Sequence, residues 1–226
     1  MKIKSDSVFK ILYVLTLILT ITVLKTNVEN KVAGANKIND SEIKKIALTF
    51  DDGPHPKYTE QLLDGLKKRG IKATFFVTGE HANLHKDIIE RMYKEGHLIG
   101  NHTYSHLQLN NQNIEQYKQE LIKTNNILKE ITGEETIYVR PPYGSWDKNL
   151  EQQLNMIPVL WTVDSLDWCT NNENTIVQRV MKDIKENDII LMHDYYETSV
   201  NAALDLIDEL LAKGYIFVTI EEIMFD

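Results

Sequence analysis

The stretch "KIALTFDDGP", residues 45–54, is the most informative about the fold, because an apolar run ends there in two carboxylates and a turn. Neighbouring side chains of a strand point to opposite faces, so the packing of a core strand does not explain Asp51 and Asp52 together. A turn alone is the simpler explanation, since Asp, Gly and Pro all favour turns. Both can hold, and we interpret the stretch as a buried strand that carries charged groups into the loop at its end.

Apolar runs and helical stretches alternate along the rest of the chain. Six further strand candidates follow the first: "KATFFV", "HLIGN", "IYVR", "IPVLWTV", "DIILMH" and "YIFVTI". In one helical stretch Val200, Leu204, Ile207 and Leu211 recur at intervals of three and four residues, and Gly214 is placed to end the helix. This alternation predicts a parallel sheet covered by helices. Seven strands fit either a doubly wound sheet or a barrel one strand short of the eight-stranded form.

The N-terminal part has a different composition. A basic lead, "MKIKSDSVFK", precedes residues 11–24, which carry no charge. Fourteen residues reach about 21 Å as a helix, less than the ~30 Å of a hydrocarbon core, so their length favours a signal peptide, and "AGA" at 33–35 resembles a cleavage site. We expect residues 1–26 to be a signal peptide or membrane anchor, 27–44 a polar linker and 45–226 the functional domain. The domain would then be extracytoplasmic, with membrane contact only through residues 11–24.

Charge and cysteine content exclude some classes of partner and of stabilisation. The net charge is −8, and because the first ten residues contribute +2, the remainder carries −10. This acidic balance disfavours nucleic acid, whose phosphates require a basic surface. Cys169 is the only cysteine, so no internal disulfide can form, and we expect it to be a small buried or half-buried residue. The sequence leaves the oligomeric state open.

Polar residues follow five of the seven strand candidates. In parallel α/β folds the chemistry lies where strands end, so these residues should meet at one edge. Among them His102 and His106 are four apart and would share one face if a helix begins there. Two imidazoles and one carboxylate leave an open position on a tetrahedral zinc, the pattern of a catalytic site, and Asp51 or Asp52 supplies the carboxylate. The other aspartate can then take a proton from the attacking water.

Five short motifs carry a resemblance to a known family. "TFDDGP", "HTYSH", "RPPYG", "DSLDW" and "LMH", in this order, resemble the five motifs of the NodB-homology polysaccharide deacetylases, over residues 45–226. The resemblance implies a distorted (β/α) barrel of about seven parallel strands with outer helices. It also implies a metal-dependent hydrolase that removes acetyl groups from a glycan.

The resemblance assigns the base and the metal ligands. Asp51 matches the general base, and Arg140 matches the arginine that holds it ionised and oriented. Asp52, His102 and His106 match the ligands of a divalent ion, for which zinc is the first choice and cobalt or another divalent ion an alternative.

The resemblance also assigns the acid and the substrate pocket. His193 matches the general acid, and Asp167 matches the carboxylate that favours its charged form. The main-chain N–H of Tyr143 matches the oxyanion donor. Leu191 matches a wall of the acetyl pocket, and Trp168 matches an apolar platform beside the sugar.

Several alternatives stay open at this point. N-acetylglucosamine units of peptidoglycan are the favoured substrate, and chitin oligosaccharides or O-acetyl xylan are alternatives. A cysteine hydrolase built on Cys169 and His193 is a different enzymatic class. A non-catalytic glycan-binding module is a non-enzymatic one. Four histidines outside the motifs are expected to face solvent or to bond locally, namely His55, His81, His85 and His97.

Overall fold

The computed structural model describes residues 44–225, so the predicted signal or anchor and most of the predicted linker lie outside the described residues. The strands are β1 (Lys44–Asp51), β2 (Thr74–Val77), β3 (Leu98–Asn101), β4 (Tyr138–Val139), β5 (Ile157–Pro158), β6 (Val163–Asp164), β7 (Ile189–His193) and β8 (Tyr215–Val218). The helices are α1 (Tyr58–Arg69), α2 (Gly79–Leu84), α3 (Lys86–Lys94), α4 (Ile114–Thr132), α5 (Lys148–Leu154), α6 (Glu173–Asp183), α7 (Glu197–Ala212) and α8 (Ile220–Phe225). Two short 3-10 helices cover Pro142–Gly144 and Asp167–Cys169. Within this part of the chain no helix has the length and apolar character to cross a bilayer.

The strands form one parallel sheet in which β1 is an inner strand. Their order is β5-β4-β3-β2-β1-β7-β6, and β8 pairs with the first half of β1. The seven strands of this path make a half-barrel with helices outside, which confirms the predicted α/β class and parallel sheet. Because β1 is paired on both sides, the loop after Asp51 opens between neighbouring strands at the sheet's carboxyl edge.

The strand prediction is wrong in one region, where "IPVLWTV" forms two short strands instead of one. β5 ends at Pro158 and β6 begins at Val163. Proline has no N–H to donate to a ladder. The next two carbonyls, of Val159 and Leu160, accept from the Arg140 side chain instead of a neighbouring strand. The chain therefore leaves the sheet here, and residues 44–225 form eight strands where seven were expected.

The helix expected at His102 and His106 is also wrong. The next helix, α4, begins only at Ile114, and the backbone at Thr103 and His106 has φ of 63° and 59°. Such left-handed residues cannot continue a right-handed helix. The Glu120 carboxylate holds the loop by accepting two successive main-chain N–H groups. A loop, and not a helical face, therefore places the two imidazoles.

Alternation along β1 explains how the strand serves both the core and the site. Ile46, Leu48 and Phe50 are buried in the main apolar cluster together with residues of α1 and α7. The intervening Thr49 and Asp51 are also buried, but both contact the side chain of Arg140. Because successive side chains face opposite sides of a strand, one face of β1 builds the core and the other leads into the polar site.

Candidate active site

Three side chains from two loops converge at the carboxyl edge of the sheet. Asp52 follows β1, and His102 and His106 follow β3. Oδ1 of Asp52 lies 3.4 Å from Nε2 of His102 and 3.4 Å from Nε2 of His106. Two ligands bound at about 2.1 Å with tetrahedral angles are roughly 3.4 Å apart, so these spacings suit one shared ion.

The hydrogen bonds of the trio leave its ligand atoms available. Nδ1 of His102 donates to the main-chain carbonyl of Arg140 at 2.6 Å, which leaves a lone pair on Nε2 in the neutral ring. Oδ1 of Asp52 is buried and has no hydrogen-bond partner among residues 44–225. Burial alone would raise the pKa of Asp52, but His102, His193 and His106 bring it down to about 2. Burial lowers the pKa of His106, which favours its neutral, metal-binding form. An anionic oxygen and two imidazoles without competing partners fit a divalent metal.

The carboxylate of Asp51, unlike that of Asp52, is held by a buried guanidinium. Nη1 of Arg140 donates to Oδ1 of Asp51 at 2.9 Å and to Oγ1 of Thr49 at 2.6 Å. Both members of the ion pair are buried, and the Arg140 guanidinium also lies 4.2 Å from the ring of Phe76. Oδ2 of Asp51 remains on the metal side, 3.8 Å from Nε2 of His102. The two adjacent carboxylates therefore have different environments.

His193, at the end of β7, forms the opposite flank. Its Nδ1 lies 2.7 Å from Oδ1 of Asp167, and its main-chain N–H donates to the other oxygen at 2.8 Å. Burial lowers the pKa of His193, but Asp167 outweighs this and, with Asp51 and Asp52, raises it to about 9. Burial alone would raise the pKa of Asp167, but its hydrogen bonds to His193 outweigh this and lower it. The remaining ring nitrogen, Nε2, lies 3.9 Å from Oδ2 of Asp52 and is positioned to donate a proton into the site.

A cleft of about 420 Å³ opens above these groups. Leu191 is buried at its wall, whereas Tyr143 and Trp168 are 67% and 60% exposed at its rim. The Tyr143 ring also lies edge-on to His106 at 5.0 Å. The full lining is Asp51, Asp52, His102, His106, Pro141, Tyr143, Trp161, Asp164, Trp168, Leu191 and His193. The cleft thus has an apolar wall, aromatic rims and an ionisable floor, which suits a sugar carrying a small acyl group.

The predicted site residues come together, but three predictions about other residues are wrong, those for Cys169, His97 and His81. Cys169 is exposed, because it lies in the short turn Asp167–Cys169, where its thiol donates to the Leu166 carbonyl. His97 is buried, because Ala73 of the neighbouring segment donates its N–H to Nδ1. The bond between Ala73 and His97 joins residues far apart in the chain and has no signal in the sequence.

The sequence analysis missed Thr49 and His81, which contact the groups that hold the two aspartates in place or the aspartate backbone itself. Thr49 accepts from Arg140, and a polar residue two positions before Asp51 on the same strand face was an available clue. His81 was expected to face solvent or to bond locally, but it is half-buried on α2, and its Nδ1 lies 2.8 Å from the main-chain carbonyl of Asp52. Nothing in the sequence pattern links His81 to the first motif.

Comparison with known proteins assigns this geometry to a family. The family described as "Polysaccharide deacetylase" matches residues 38–159. The chain belongs to the polysaccharide deacetylase family. Among relatives of this deacetylase domain, the peptidoglycan-N-acetylmuramic acid deacetylase PdaC of Bacillus subtilis is 42% identical over 184 residues, covering 81% of this chain and 39% of PdaC. A peptidoglycan-N-acetylglucosamine deacetylase of Bacillus cereus is 40% identical over 186 residues, covering 78% of this chain and 66% of the relative.

A solved structure extends the likeness to three dimensions. The peptidoglycan deacetylase PdaC from Bacillus subtilis superposes with a TM-score of 0.78 and 42% identity, covering 81% of this chain and 91% of the solved chain. The matched region is less than two thirds of the full length of PdaC and of the Bacillus cereus relative. The comparison therefore establishes a deacetylase domain, while the two relatives are named for different sugars.

Proposed function

We propose that this polysaccharide deacetylase domain is a metal-dependent hydrolase that removes N-acetyl groups from peptidoglycan, with N-acetylglucosamine units as the favoured substrate. The observation that carries the proposal is the convergence of Asp52, His102 and His106, whose ligand atoms lie within 4.8 Å of one another. A buried carboxylate and a protonatable imidazole stand on either side of this trio. Zinc is the expected ion, because a set of two imidazoles and one carboxylate with an open position is typical of catalytic zinc.

Asp51 is the proposed general base. Arg140 occupies Oδ1 of Asp51, and this bond fixes the carboxylate plane. Oδ2 is then the oxygen left to accept the proton of a water that attacks the acetyl carbonyl. A divalent ion held by the trio would polarise that carbonyl and stabilise the charge that develops on its oxygen.

His193 is the proposed general acid. Its raised pKa, about 9, keeps the imidazole protonated at neutral pH. Asp167 fixes Nδ1, so Nε2 is the atom that can donate to the departing nitrogen as the carbon–nitrogen bond breaks. The products are acetate and a free amine on the glycan.

The cleft supports the proposed substrate contacts. Leu191 would pack against the acetyl methyl group, and Trp168 would lie against a sugar face. The main-chain N–H of Tyr143 is proposed as a donor to the developing oxyanion, in a turn where this residue has φ of 59°. Action on the cell wall requires an extracytoplasmic domain, which an N-terminal signal or anchor at residues 11–24 would provide.

The competing functions predict different behaviour. A cysteine hydrolase would need Cys169 beside His193, but the ring nitrogens of His193 face Asp167 and Asp52, while the Cys169 thiol bonds to Leu166. A non-catalytic glycan-binding module would bind the same glycans and release no acetate. Chitin oligosaccharides and O-acetyl xylan are separated from peptidoglycan by the substrate panel below.

The test is acetate release from acetylated peptidoglycan strands, chitin oligosaccharides and acetylated xylan, with and without EDTA and added Zn²⁺. We expect release from peptidoglycan, loss with EDTA and recovery with zinc. Asp51→Asn should abolish turnover and keep the metal, whereas His102→Ala should lose both. His85→Ala is the matched control, since His85 lies outside the cleft, and it should change neither. Glycan binding without acetate release by the metal-loaded wild type would refute the proposal.

A further inference from the structure

The backbone at Asp52 adopts an uncommon conformation. Its φ is 75°, in the left-handed region that side-chain-bearing residues rarely occupy. The left-handed region costs roughly 1 kcal/mol or more for a residue other than glycine, although aspartate tolerates it better than most. Because Oδ1 of Asp52 must meet both His102 and His106, a change in this backbone angle would carry the carboxylate away from the imidazoles. Something must hold the backbone at this angle.

The side chain of His81 contacts this backbone through a hydrogen bond. Its Nδ1 lies 2.8 Å from the carbonyl oxygen of Asp52. A carbonyl can only accept, so Nδ1 carries the proton and donates it. The hydroxyl of Thr78 reaches the same oxygen at 3.4 Å, and the Thr78 N–H donates to the carbonyl of Gly53 at 3.1 Å. The start of α2 is thus tied to the turn that bears the carboxylate.

The His81 ring is itself held in place. Tyr195, which follows β7 and His193, stacks on it with ring centroids 5.4 Å apart and an interplanar angle of 26°. Tyr195 also meets His55 edge-on at 4.9 Å. A stacked ring with one nitrogen aimed at a carbonyl has little freedom to rotate, so the donor points steadily at Asp52.

We propose that His81 is a positioning residue for the metal site: its Nδ1–H holds the Asp52 carbonyl and so fixes the carboxylate opposite His102 and His106. The inference rests on the proposed function only in requiring that this trio binds a divalent ion. His81 touches no ligand atom of the trio and acts only through the backbone of Asp52. Outer groups that orient metal ligands typically change metal affinity by 10- to 100-fold when they are removed.

The test separates the hydrogen bond from the ring. His81→Phe keeps a ring for Tyr195 and removes the donor, whereas His81→Asn keeps an N–H near the position of Nδ1 and removes the ring. His85→Phe is the matched control, because His85 lies at the end of the same helix and its ring does not bond to Asp52. The substitution keeps the His85 main-chain N–H, which donates to the His81 carbonyl. Co²⁺ alone is titrated into the metal-free protein in the presence of a competing chelator, and both the affinity and the visible absorption of the bound ion are recorded.

We expect His81→Phe to bind Co²⁺ about tenfold or more weakly with an altered absorption band, His81→Asn to recover most of the loss, and His85→Phe to match the wild type. Wild-type affinity and spectrum in His81→Phe would overturn the inference and leave the proposed function intact. Equal losses in Phe and Asn variants would also overturn it, because the ring and not the donor would then matter. If the four proteins show the expected Co²⁺ affinities but the metal-loaded wild type releases no acetate, the proposed function alone is refuted. A wild type that binds no Co²⁺ would refute both.

Discussion

Replacing Arg140 by Met should be the most costly single change at the floor of the site. The substitution removes the ion pair to Asp51 at 2.9 Å, the bond to Thr49 at 2.6 Å and the bonds to the Val159 and Leu160 carbonyls. Arg140 is fully buried and Asp51 is 3% exposed, so water cannot replace the lost partner of the carboxylate. Removing one member of a buried pair costs about 3–5 kcal/mol, and we expect the free energy of unfolding to fall by that amount.

The expected cost comes from the uncompensated charge of Asp51, and a double-mutant cycle isolates the contribution of this charge. In an Asp51→Asn background no buried anion is left uncompensated, and Arg140→Met should cost about 2 kcal/mol less than in the wild type. Arg179→Met is the control arm, because Arg179 donates to the carbonyls of Ser165 and Leu166 and not to Asp51. Its effect should add to that of Asp51→Asn within about 0.5 kcal/mol.

Urea unfolding at pH 7 measures each corner of the cycle by linear extrapolation. EDTA is included, because an ion bound only by the folded state would add its own linkage to every value. A coupling energy between Arg140 and Asp51 no larger than that of the Arg179 arm would show that the buried charge pair is not what holds Asp51.

Three further predictions concern residues beyond this pair. Cys169→Ala should retain acetate release, because the thiol is exposed and bonds only to the main chain, and a dead variant that still binds metal would favour the cysteine mechanism. Burial, with a contribution from the Lys72 charge, lowers the pKa of His97 to about 4. The unfolded chain therefore binds more protons than the folded one between about pH 6.5 and 4, so stability is full above this window and falls as the pH drops through it, by about 3 kcal/mol. Urea unfolding of His97→Gln at pH 7 and pH 5 should show a smaller loss than the wild type, and equal losses would contradict this. Gly100→Ala should lower the unfolding free energy by about 1–3 kcal/mol, since its Cβ would lie 2.4 Å from a ring carbon of Phe76, and an unchanged urea midpoint would show that the ring moves aside without cost.

The sequence determined the layers of this fold and the side chains at its catalytic edge. Alternation of apolar runs with helical spacing predicted a parallel sheet, and the polar residues after five of the seven runs predicted a site at one edge. These features are local, because they depend on the periodicity of one strand or helix and on the residue types that end it. The five motifs then named the family, since their order along the chain is a property of the sequence itself.

Only the tertiary structure decided how the site is held together. The two adjacent aspartates differ because Arg140 lies beside Asp51 and two imidazoles lie beside Asp52. His102 and His106 meet through a loop with left-handed residues, although their spacing predicted a helix. Such outcomes depend on which distant groups share a buried space. Pairing across the sheet is set by the packing and desolvation of the whole domain, and the local periodicity of the sequence does not encode these.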